Sequence, residues 1–166
     1  MKKCLLLLCI LPLLAGCAQP KSFETMSDVY LEPEKPAMAE LCLDLPAEAA
    51  KPAMTGEDGS SLYLCDGYSI MVQALPAGDL DATLRQTTGY SREKLQLLQR
   101  QDGTCRRYEC VWVAAGEGED QVGRAAVLDD GQYHYVLSVM AGASNTGALA
   151  PVWQKLFDSF SLRTEL

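Results

Sequence analysis

The side chains able to do chemistry are few in this 166-residue chain, and they are scattered. A single histidine, His134, stands between Tyr133 and Tyr135. As a base it needs a nucleophile and an orienting acid; as a metal ligand it needs two or three companions. No Gly-x-Ser-x-Gly elbow, His-Glu-x-x-His pair, phosphate loop or dinucleotide fingerprint accompanies it. Its strand phase, shared with Val136, Ser138 and Met140, is the less aromatic one. A structural or surface role follows, with His134→Ala expected to cost no more than ~1 kcal/mol. Gly56-Glu57-Asp58-Gly59 and Glu117-Gly118-Glu119-Asp120 are acidic turns. They lack the ligand spacing of an EF-hand loop and read as solvated turns. Carboxylates abound, but the acid pair of a glycosidase is defined by a spatial separation, not by abundance. The reading is a chain without catalytic residues, metal or cofactor.

Cysteine is the remaining reactive type. Cys42, Cys65, Cys105 and Cys110 lie in the body of the chain, and none is spaced as Cys-x-x-Cys. Cys110 shares its phase with Tyr108 and Trp112, which marks a buried free thiol. Cys105 and Cys110 are ~16 Å apart in a regular strand and on opposite faces, so they cannot pair. Cys42 and Cys65 both lie off the leucine-bearing faces of their strands. If those strands are neighbours, the Cα atoms approach the ~5.5 Å of a disulfide, and a Cys42–Cys65 bridge is expected.

The N-terminus carries a different kind of chemistry. Lys2 and Lys3 precede an apolar stretch, Cys4 to Leu14, broken only by Pro12, and then the small pair Ala15-Gly16. That is a charged n-region, a short h-region and a cleavage site. Leu14-Ala15-Gly16-Cys17 resembles the lipobox of bacterial lipoproteins. The resemblance implies cleavage between Gly16 and Cys17 and acylation of Cys17, with palmitate-type chains. The apolar stretch is about half of the ~20 residues a spanning helix needs. The mature chain is therefore expected to be anchored through lipid on Cys17, on the extracytoplasmic side of a bacterial cell envelope. Each buried methylene of the acyl chains contributes ~0.8 kcal/mol to that anchoring. Loss of residues 1–16 removes two of the 14 basic residues and leaves all 22 acidic ones, a formal charge of −10. Such a body disfavours nucleic acid as a partner.

The elements needed to position anything are strand-rich. Residues 17–37, with Pro20, Pro33 and Pro36 among charges, read as a tether. Val29, Tyr30 and Leu31 are its apolar exception. Residues 38–166 form one domain, near the modal size. Leu41, Leu43 and Leu45 alternate with polar positions in a strand ending at Pro46. Ser61 to Cys65 and Tyr68 to Leu75 form a hairpin about Asp66-Gly67. Asp79 caps a helix that runs along Leu80, Leu84 and Thr87 and stops at Gly89. Leu95 to Arg100, Thr104 to Ala114, Gln121 to Leu128 and Gln132 to Ala141 follow as strands joined by glycine turns. A last helix, Ala148 to Ser159, tolerates Pro151 only near its first turn. Hairpin-linked strands with few helices predict an antiparallel sheet flanked by helices, an α+β architecture.

The run from Val127 to Leu137, with Pro151 to Leu162 after it, resembles the C-terminal half of PsbP-like proteins. Leu41-Cys42-Leu43-Asp44-Leu45-Pro46 is similar to their first strand. That superfamily includes the extrinsic photosystem II subunit, Ran-binding Mog-type proteins and bacterial lipoproteins. The resemblance implies an α-β-α sandwich about a twisted antiparallel sheet, over roughly residues 39–163, and mostly binding or assembly roles. A non-catalytic binding protein with a protein partner is the expectation. A small envelope hydrolase and a solute- or lipid-binding module are the alternatives. A polar pocket at His134 favours the enzyme, a deep apolar cavity the ligand module, and a flat patch with exposed aromatics protein binding.

Overall fold

Alternation of apolar and polar residues builds a seven-stranded antiparallel sheet, seen here in a computed structural model that describes residues 37–163. The strands are β1 (Leu41–Cys42), β2 (Met54–Thr55), β3 (Ser61–Cys65), β4 (Tyr68–Pro76) and β5 (Leu98–Asp102). β6 (Cys105–Ala114), β7 (Gln121–Asp129), β8 (Tyr133–Gly142) and β9 (Ser161–Leu162) complete them. The spatial order is β2-β3-β4-β8-β7-β6-β5, while β1 and β9 pair apart as a two-stranded ribbon. Two helices, α1 (Leu80–Thr88) and α2 (Thr146–Ser159), cover opposite faces. Trp153, Leu156, Phe157 and Phe160 pack on Tyr68, Ile70, Leu128, Tyr135, Leu137 and Val139 on one face. Leu84 of α1 packs with Tyr108, Cys110, Trp112, Val127 and Val136 on the other. The molecule is α+β, an α-β-α sandwich.

Local chemistry explains the boundaries. Asp79 accepts from the Asp81 N–H at 3.0 Å, and Gly89 ends α1 with φ at 79°. The Asp66-Gly67 hairpin forms with Gly67 at φ 80°. Three expectations shift. The strand from Leu41 keeps only two paired residues, because its partner β9 is itself two residues long. Leu43 and Leu45 still pack on the core without a ladder. β5 starts at Leu98 because a 3-10 turn, Arg92–Lys94, occupies the approach. α2 starts two residues early, growing straight out of the 3-10 turn Ala143–Asn145, so Pro151 falls in its second turn.

α2 ends without a left-handed glycine. Buried Arg107 caps it instead, donating from Nη2 to the Phe157 carbonyl and from Nη1 to the Phe160 carbonyl, each at 2.7 Å. Its Nε donates to Glu109 Oε1 at 2.8 Å. A cation at a helix C-terminus meets both the unpaired carbonyls and the negative end of the helix dipole.

Candidate protein interface

α2 is centred on β8 and its neighbours, so burial fades along β6 on that face. Cys105 and Arg107 are buried, Glu109 is half-buried, and Val111 and Val113 emerge at 57% and 51% exposure. Leu98 of β5 faces the same way, since it pairs with Glu109, and is 63% exposed. Leu98, Val111 and Val113 thus form an aliphatic strip on the half of the sheet that neither described helix covers. Side chains that alternate in a strand put every second residue on one face, which is why the strip is continuous.

Charged groups border the strip in fixed positions. Glu109 receives Arg124 Nη2 at 2.8 Å and Arg107 Nε at 2.8 Å, and Arg100 Nη2 lies 3.2 Å away. Burial works to raise the Glu109 pKa, but its bonds to Arg124 and Arg107 outweigh that and hold it below the usual glutamate range. The Arg124 guanidinium also stacks over the Phe157 ring, 4.2 Å from its centroid. The cations are held by the fold rather than left to sweep solvent.

His134 does find a nucleophile-type neighbour and an acid. Thr83 Oγ1 lies 2.7 Å from Nδ1, and Asp129 Oδ1 lies 4.0 Å from Nε2. The groups stand in the order hydroxyl, imidazole, carboxylate. His134 is 2% and Thr83 6% exposed, so the contact lies inside the fold. Burial pushes the histidine pKa down, with Asp129 and Asp130 opposing, so the imidazole is favoured in its neutral form. What the contact does is tie α1 to β8. The expectation of a near-costless His134→Ala change is corrected here, because a fully buried, bonded ring leaves a cavity and an unpaired Thr83.

The cysteines also settle into places. All four described ones are free. The Cys42–Cys65 bridge is not formed: β1 pairs with β9, and β3 pairs with β2 and β4, so the two strands are not neighbours. The condition on which the bridge rested, neighbouring strands, is not met. Cys110 is buried, and burial pushes its thiol up to about 11. Cys105 borders a cavity of about 210 Å³ that also meets Asp102, Asp130 and Arg163. Burial raises its pKa and the three nearby aspartates add to that, so it is a protonated thiol rather than a nucleophile. Among the described residues, no group of three His, Cys, Asp or Glu could hold a metal. Gly16, Cys17 and Val29 to Leu31 lie outside the described residues. Among the described residues no helix is long and apolar enough to cross a membrane.

Tyr68, Tyr108, Trp112, Tyr133 and Tyr135 are core residues, so the flat patch is aliphatic, not aromatic. Sequence reading missed the strip. Its one available signal was Val111 and Val113 sharing a phase that α2, fourteen residues long, is too short to cover along with β8.

No protein-family model matches the chain, and no curated protein does. Among solved structures, one from Bacteroides thetaiotaomicron superposes with a TM-score of 0.51 at 14% identity. The match covers 75% of this chain and 46% of that one, so the chain spans less than half of it. Pseudomonas aeruginosa PA94, a protein of unknown function, gives 0.48 at 13% identity, covering 80% of this chain and 90% of its own. The Ran-binding protein Mog1p of Saccharomyces cerevisiae gives 0.36 at 13% identity, covering 72% and 81%. The first of these is similar to this chain in fold.

Proposed function

We propose that this chain is a non-catalytic binding or assembly protein, held by lipid on Cys17 at the extracytoplasmic side of a bacterial membrane. It engages protein through Leu98, Val111 and Val113. The observation that carries the binding reading is the exposure of these three residues on one sheet face, between 51% and 63%. Burying a leucine or valine contributes about 1.5–3 kcal/mol, so a contiguous strip favours cover by a partner. Arg100 and Arg124, pinned on Glu109, supply the arginine-rich border that protein interfaces favour. The sealed Thr83–His134 contact supports the non-catalytic reading. The anchor is supported by Leu14-Ala15-Gly16-Cys17 alone.

Two variants test the two halves. Cys17→Ser should move the protein out of the detergent phase and remove acyl mass from the mature chain. A wild-type chain that stays aqueous with no acyl mass refutes the anchor. Val111→Lys with Val113→Lys should leave the fold intact, because both side chains are exposed, and abolish the cellular phenotype of the wild-type gene. Full complementation by the double variant refutes the interface.

A further inference from the structure

We infer that the face of the sheet opposite the strip holds a binding site for an uncharged, hydroxyl-rich small molecule the size of one sugar ring. Beside the last turn of α1 a cavity of about 330 Å³ opens over β3, β4 and β8. Strand pairing sets its floor. Leu62 pairs with Met71, Met71 with Ser138, and Ser69 with Met140, which puts all five on one face. Trp112 closes one side. Gly123 stands opposite Trp112 on β7 and opposite Met140 on β8, and it has no side chain. The Trp112 ring therefore lies across β7, against the site a Cβ would fill, and borders the cavity. Gln73 of β4 with Gln86 and Thr87 of α1 completes the rim.

The lining selects the ligand class. It contains no ionisable side chain, so a charged ligand would lose water there without gaining a counter-ion. A wholly apolar ligand fits no better. Ser69, Gln86 and Ser138 make no side-chain hydrogen bond among the described residues. Gln73 Nε2 reaches Thr87 Oγ1 only at 3.5 Å, and the buried Trp112 Nε1 has no acceptor. An apolar occupant would strip these groups of water and return no bond. Hydroxyl and amide side chains both donate and accept, while the indole only donates. Ligand hydroxyls, which also do both, answer that set. Leu62, Met71 and Met140 offer apolar surface to the carbon skeleton, and thioethers adapt to irregular shapes. The volume is about twice the ~150 Å³ of a cavity that admits benzene, which leaves room for one ring and its hydroxyls.

Two buried indoles give the test its own control. Trp153 Nε1 is also buried without an acceptor, but Trp153 packs on the other face of the sheet, with α2. The isotope-labelled full-length chain, in a detergent without a sugar headgroup, is titrated with glucose, galactose, N-acetylglucosamine and a disaccharide of each. At least one neutral sugar should move the Trp112 indole N–H resonance saturably and leave that of Trp153 in place. Ser69→Ala with Ser138→Ala should weaken that sugar about tenfold, and the phosphate ester of glucose should bind no better than the double variant does. Tighter binding of a disaccharide marks a glycan end as the source, and its exclusion marks the free sugar; both outcomes uphold the site. No saturable shift with any of the sugars, equal movement of both indoles, or unchanged affinity in the double variant overturns it. Equal binding of the phosphate ester overturns the uncharged class. The site shares no residue with the strip, so its failure leaves the interface reading standing.

Discussion

His134 is held in its neutral form by burial, and that has a consequence for stability. Its pKa in the folded chain lies below the unfolded value of about 6.5. The unfolded chain therefore takes up more protons as pH falls through that value. The stabilisation is complete above about pH 6.5 and is lost as pH drops below it toward the folded pKa. Urea midpoints should fall between pH 7.5 and 5.5, and His134→Gln should flatten that fall. An equal slope in the variant would place the titration elsewhere. His134→Ala should cost about 2–3 kcal/mol through the cavity and the lost Thr83 contact. Thiols give a second readout: Cys110 should resist alkylation at pH 8 in the folded chain and react fully in denaturant. Rapid native labelling at Cys110 would contradict its burial. At this scale the sequence was informative about phase, which placed Cys110 beside Tyr108 and Trp112. It could not say that Thr83 would come within 2.7 Å of His134, because that contact joins residues 51 apart.

Elements owe their positions to a few specific contacts. Arg107 caps α2 from a neighbouring strand, so Arg107→Met should destabilise by about 2–4 kcal/mol, leaving two carbonyls short of a donor. Arg107→Lys should recover only part, since an ammonium cannot span both carbonyls and Glu109 as a guanidinium fork does. Thermal or denaturant unfolding of the two variants decides this, and equal stability would remove Arg107 from the cap. Gly123 allows the Trp112 ring to lie on β7: a Cβ there would stand 2.2 Å from Trp112 Cζ2. Gly123→Ala should cost about 1–3 kcal/mol by overpacking, and Trp112→Leu in the same chain should relieve part of it. Strand and helix boundaries were legible because caps and turns are local chemistry: Asp79, Gly89 and Asp66-Gly67 each act within a few residues. The two-residue β1–β9 ribbon was not legible. Leu41 to Leu45 alternates well enough for a longer strand, and only the position of β9 after α2 limits it.

For the whole molecule, the layer architecture followed from hairpins and alternation. Which half of the sheet α2 leaves exposed among the described residues depends on where that helix lies across it, and no local pattern carries that. That exposed half is where the binding reading stands. A photoreactive residue placed at Val111 of the full-length chain, in the cells that make it, tests that reading most directly. Leu64, equally exposed at 64% but on the opposite face of the sheet, serves as the control. The account predicts one discrete adduct at Val111, to a second copy or to another protein, and none at Leu64. A Val111 chain that yields no adduct, or the same smear as Leu64, would contradict it.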